Sequence, residues 1–189
     1  MRNRRFIFFA IAFLYFSGCD IFQTRDPESP NKVTSGYKPP VTPDIVLENF
    51  KSAVHDHNVD NYMKCFIDST ASSGRFSFSP SAGYENQLTN WNLEDEQRYF
   101  QNLGIPSVFQ PSLSLSATQE VNRTATSTEY TMEYILFYSH NKPDVAQQVK
   151  GYMHLYLHVD NQQRWAISLW EDRRVASDST WSYLKYHFY

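Results

Sequence analysis

From Val145 to Trp170 apolar and polar positions alternate with a period of two, the spacing of a strand, because successive side chains leave a strand on opposite faces. Val149, Met153, Leu155 and Leu157 fall on one side, and Lys150, Tyr152, His154, Tyr156 and His158 on the other. Asp160-Asn161-Gln162 turns the chain over, and Trp165-Ala166-Ile167-Ser168-Leu169 returns with a second apolar face. The two segments therefore predict an antiparallel pair with one side turned to a core. Continued alternation assigns Met153, Leu155, Leu157, Trp165, Ile167 and Leu169 to that side.

Upstream, the pattern changes to helical spacing. Thr42-Pro43-Asp44 combines an N-cap, a proline at the first helical position and an acid in the first turn. Val46, Phe50, Ala53 and Val54 then recur at three and four, predicting an amphipathic helix from Pro43 to His57. Val59, Tyr62, Met63 and Phe66 mark a short second helix, and Phe76 and Phe78 a short strand ending at Pro80. Asn92, with Asp95 three residues on, forms a capping pattern for a third helix carrying Leu93, Tyr99, Phe100 and Leu103, which stops at Gly104. The acids Glu94, Asp95 and Glu96 are read as complementing that helix's N-terminus. Leu113 and Leu115 mark another short strand. Thr126 to Tyr138 is a long strand, apolar on both faces at its far end. Trp181, Leu184 and Phe188 form a closing aromatic segment that packs on the sheet.

Composition changes the picture at the front of the chain. The 189 residues, 41% of them hydrophobic, suit one domain with a core. Arg2, Arg4 and Arg5 precede an apolar run from Phe6 to Phe16, too short to span a bilayer but suited to a secretory signal. The run ends in Ser17-Gly18-Cys19, which resembles a bacterial lipobox, with Phe16 where Leu is usual. The resemblance implies removal of residues 1–18 as a lipoprotein signal peptide and acylation of Cys19, whose chains would hold the protein on a lipid bilayer. Residues 19–41, with Pro27, Pro30, Pro39 and Pro40, read as a flexible tether, and 42–189 as the domain. Loss of residues 1–18 removes the three arginines and no acid, so the formal charge moves from -3 to -6. That acidic balance excludes a general nucleic-acid surface. Cys65, the one thiol left, is read as a small buried hydrophobe.

A helical hairpin, a short strand, a third helix and a long antiparallel sheet resemble the NTF2-like superfamily, also called the SnoaL-like or cystatin-like cone. The residues that carry the resemblance are Leu47-Glu48-Asn49-Phe50 through Asn61-Tyr62, Phe76-Ser77-Phe78-Ser79-Pro80, Trp165 through Asp172, and Trp181-Ser182-Tyr183-Leu184-Lys185. It implies an α+β fold in which N-terminal helices pack on a curved mixed or antiparallel sheet, with a pocket at the open end. It also implies a small bacterial envelope lipoprotein of unassigned activity, since the superfamily includes isomerases and dehydratases as well as binding domains.

Two candidate surfaces follow. The apolar face would line a ligand pocket through Met153, Leu155, Leu157, Trp165, Ile167 and Leu169, with Glu133 and Glu171 as carboxylates for an isomerase-like or dehydratase-like reaction beside a tyrosine. The opposite face, Tyr152, His154, Tyr156 and His158, would meet a partner, either a second copy of the chain or an envelope protein. No catalytic set converges in the sequence and no cofactor motif appears. His154 and His158 share a strand face but stand about 13 Å apart, too far for one metal ion.

Overall fold

The computed structural model describes residues 36–68, 74–175 and 179–189. The signal segment, Cys19 and the tether up to Ser35 lie outside the described residues. Helix α1, Pro43–His55, starts at the predicted proline and buries Val46, Leu47, Phe50, Ala53 and Val54 on one face; its N-cap Thr42 makes no side-chain cap bond. Asn58 caps the short α2, Val59–Met63, by accepting from the backbone N–H of Asn61. Strand β1, Ser77–Ser79, follows. Helix α3, Leu93–Asn102, opens on a complete capping box between Asn92 and Asp95. The sheet continues with β2, Ser112–Val121, β3, Ser127–Phe137, β4, Gln148–Val159, and β5, Trp165–Arg173. The closing aromatic segment is a helix, α4, Trp181–Phe188.

The five strands lie in the order β1-β5-β4-β3-β2, antiparallel throughout except that β1 runs parallel to β5. The sheet is mixed and unclosed, with the helices on its inner side. Register shifts between Ser116 and Gln119, and opposite Tyr156 and Leu157, bend it. The core between sheet and helices is largely aromatic: Phe50 of α1 touches the rings of Tyr62, Phe66, Trp170 and Trp181.

Several boundaries differ from the sequence reading, and β2, expected to be short, runs ten residues. The β4 strand begins at Gln148 rather than Val145, after Asp144 adopts a positive φ that ends the preceding turn. The first helix stops at His55, because His57 takes a positive φ and bonds through Nε2 to the Phe100 carbonyl instead. The segment assigned to the end of the tether is docked on the domain: Tyr37 donates to the Lys64 carbonyl, Lys38 and Asn49 exchange two hydrogen bonds, and the Pro40 carbonyl accepts from the Trp165 N–H.

Candidate functional site

The strand pair β4–β5 divides the molecule into an inner and an outer face. Met153, Leu155, Leu157, Trp165 and Ile167 turn inward and are buried. Leu169 does not join them. Between the pairs Tyr156 with Leu169 and Leu157 with Ile167, Ser168 is an extra residue, a bulge that reverses alternation beyond it. Leu169 and Glu171 therefore point outward with Tyr156 and His154, while Trp170 and Asp172 point into the core. Glu133 is also on the outer face, because it pairs across the sheet with Tyr152 and accepts a hydrogen bond from its hydroxyl at 2.9 Å. Neither carboxylate assigned to the pocket from sequence reaches it.

Two other carboxylates do. Glu96 of α3 and Asp172 of β5 are buried, and each is saturated by this chain's own groups. The Glu96 carboxylate accepts from the Tyr62 hydroxyl at 2.7 Å, from the Trp91 indole N–H at 2.7 Å, and from the Lys185 ammonium. The Asp172 carboxylate accepts from the Tyr134 hydroxyl at 2.7 Å and from the backbone N–H and hydroxyl of Ser182. Tyr134 in turn accepts from the Trp181 backbone N–H. Gly151 makes this approach possible: a Cβ there would stand 2.8 Å from the Tyr134 hydroxyl and 2.7 Å from the Arg173 carbonyl.

Lys185 is the centre of the inner face. Its ammonium lies 3.7 Å from the Phe78 ring centroid and 4.2 Å from that of Trp170, with Trp91 and Tyr99 at 5.1 and 5.4 Å. Rings supply the negative faces of their quadrupoles to a desolvated cation, and Glu96 supplies the counter-charge. Burial lowers the Lys185 ammonium to about 8, against the opposing pull of Glu96. Burial and Glu96 together push the Tyr62 hydroxyl well above its ordinary value, and burial with Asp172 does the same for Tyr134. Thus α4 fills the space between sheet and helices with a tethered cation in an aromatic cage.

The outer face is open. His154 is held between two carboxylates, Nε2 at 3.0 Å from Glu129 and Nδ1 at 3.3 Å from Glu171. Arg173 donates to Glu171 at 2.6 Å, and the His154 and Tyr156 rings lie 4.3 Å apart. His158 bonds through Nδ1 to the Ser168 hydroxyl at 2.8 Å, so the bulge residue also orders this surface. Tyr152 is 43% exposed. All four predicted partner residues thus share one surface with Leu169, Glu133 and Glu171. A separate groove of about 400 Å³ runs between Tyr37, Met63, Phe66, Leu93 and Trp165 and is bordered by Arg164, whose Nε and Nη2 both donate to Oδ2 of Asp160. Of the residues assigned to the pocket, Trp165 reaches it.

Cys65 is buried and donates to the Asn61 carbonyl; burial pushes its thiol up, as befits a packing residue. His55 and His57 bond to the carbonyls of Pro111 and Phe100. Among the described residues no group of three or more His, Cys, Asp or Glu side chains is gathered to hold a metal ion, and no helix is long and apolar enough to cross a membrane.

No family model and no curated protein matches the sequence. Solved structures do match the fold. A candidate scytalone dehydratase from Novosphingobium aromaticivorans aligns with a TM-score of 0.56 at 9% identity, over 72% of this chain and 83% of its own. A candidate dehydratase of the NTF2-like family from Streptomyces avermitilis gives 0.51 at 9%, over 71% and 94%. A ketosteroid isomerase-like protein from Erwinia carotovora atroseptica gives 0.51 at 6%, over 73% and 97%. The chain has the NTF2-like α+β cone fold. At these identities the likeness extends to the fold alone.

Proposed function

We propose that the mature chain is a lipid-anchored protein of the bacterial envelope whose cone domain works by binding rather than by turnover. The outer face around Tyr152, His154, Tyr156 and His158 is its partner surface, for a second copy or another envelope protein. The observation that carries this reading is the occupation of the cone's interior by α4, with both inner carboxylates saturated. The outer face supports it in a second way. Its aromatic rings, three carboxylates and Arg173 are ordered by mutual hydrogen bonds before any partner arrives, which lowers the entropic cost of association. Cys19 supplies the bilayer address, with the domain in the periplasm or at the cell surface. Capture from membranes with the acylated chain, beside a mass measurement in solution, tests the proposal. Loss of partner or dimer in Tyr156→Ala and His154→Ala is expected; unchanged capture by both variants would sink the assigned surface.

One observation favours a second reading, a pocket enzyme of isomerase or dehydratase type: each inner carboxylate meets a tyrosine hydroxyl at 2.7 Å, and fold neighbours carry dehydratase and isomerase-like descriptions. Turnover would require α4 to withdraw. Ligand-dependent quenching of the buried Trp181 by a water-soluble quencher would support this reading over the first.

A further inference from the structure

The three most exposed large apolar side chains among the described residues fall within one five-residue stretch: Ile105 at 87%, Val108 at 72% and Phe109 at 65%. They stand on the loop Gly104 to Pro111, which contains no charged residue. Gly104 opens the loop at a φ of +70°, a conformation that suits glycine, and its carbonyl accepts from the Tyr138 hydroxyl at 2.6 Å. The Ser107 N–H donates to the Ser139 carbonyl, the two serine hydroxyls bond at 2.8 Å, and the Val108 N–H donates to the Ser139 hydroxyl. At the far end the Pro111 carbonyl bonds to Nδ1 of His55. The loop is therefore pinned to the domain at both ends and its middle, with its apolar side chains turned to solvent.

We infer that Ile105, Val108 and Phe109 form a bilayer-docking tip that inserts beside the anchor; this rests on the proposed acylation of Cys19. An exposed, uncharged, prolyl loop with its backbone tied inward suits the headgroup–acyl boundary, where unpaired polar groups are costly. The reach is sufficient. The chain docks from Tyr37 and Lys38, the latter bonded to Asn49 midway along α1, and the loop lies at the C-terminal end of that helix, where His55 holds Pro111. A helix of 13 residues is about 20 Å long, whereas the contour of residues 19–35 is on the order of 50 Å. Anchor and tip can thus enter one leaflet together, and docking would fix which way the partner surface faces.

The test uses the acylated protein in phosphatidylethanolamine–phosphatidylglycerol vesicles, with an environment-sensitive fluorophore on Val108→Cys or, as control, on the exposed Gln119→Cys. Cys65 is buried and Cys19 acylated, so the introduced thiol takes the label. Expected is a blue-shifted emission at position 108, quenched by brominated lipid several-fold more than at 119, unchanged in high salt because the contact is apolar, and abolished by Ile105→Ser with Phe109→Ser. Vesicle-bound protein whose 108 label stays aqueous overturns the docking tip while leaving the anchor intact. A shift that needs added envelope protein overturns it in favour of a protein partner. If mass spectrometry finds no acyl chain, the anchor fails separately, and the label is moved to a Val108→Cys, Cys19→Ser protein: a shift in vesicles upholds the tip and its absence overturns it.

Discussion

The two faces of the β4–β5 pair carry the same kinds of group and use them differently. Inside, Glu96 meets Lys185 with both side chains at 0% exposure, enclosed by four aromatic rings. Outside, Glu129, His154, Glu171 and Arg173 form a chain of contacts with side chains 16–66% exposed. Water is the difference. A carboxylate that loses its cation outside is resolvated, whereas one that loses it inside is left charged in a medium that cannot answer it. The inner pair is therefore held by the fold, and the outer set is free to exchange partners.

The largest expected effect breaks the inner pair. Lys185→Met should cost about 3–5 kcal/mol in urea unfolding, the usual penalty for stranding a buried charge, and adding Glu96→Gln should recover most of it. A single-variant loss below about 1 kcal/mol would erase the contrast between the faces. Gly151→Ala comes next, at about 1–3 kcal/mol, since the new Cβ collides with Tyr134 and the Arg173 carbonyl; a lowered Tm and loss of the Tyr134–Asp172 bond by NMR would check it. The pH dependence is smaller. The folded ammonium of Lys185 is held near 8 against an ordinary 10.5, so from about pH 8 the unfolded chain binds more protons and stability should rise with pH by at most about 1.4 kcal/mol per unit. Near pH 9 the Cys65 thiol, raised by burial from 9.0, ionises only in the unfolded chain and offsets the rise. Above pH 10 the trend should reverse, because the buried tyrosines stay protonated in the fold and ionise when unfolded. The Lys185→Met, Glu96→Gln double variant should lose the rising limb. Least affected is the outer face: His154→Ala should change stability by about 1 kcal/mol or less, with its consequence appearing in partner capture.

Element order was legible because periodicity and punctuation agreed: Pro43 began α1, Asn92 with Asp95 capped α3, and alternation gave β3 and β4. The inner site is only partly legible. Glu96 sits within the apolar stripe Leu93, Tyr99, Phe100, Leu103, and Lys185 within Trp181, Leu184, Phe188, each at helical spacing. Two opposite charges on the core stripes of two helices signal a buried pair. Glu94 and Asp95, acids of the same first turn, mask Glu96 as N-terminal charge. Asp172 was hidden for another reason. Its face depends on Ser168, and a bulge arises from how two strands fit together, which no single strand's pattern records.

That one serine acts on β5 as a frameshift acts on a message. Every side chain after it is read on the opposite face, so the acid that anchors α4 is Asp172 and the acid offered to a partner is Glu171. Were Ser168 paired in regular alternation instead of bulged, the same residues would make a different protein surface, with Trp170 displayed and Glu171 sealed within. The boundary between what this domain keeps for itself and what it shows to others is thus written in a single inserted position.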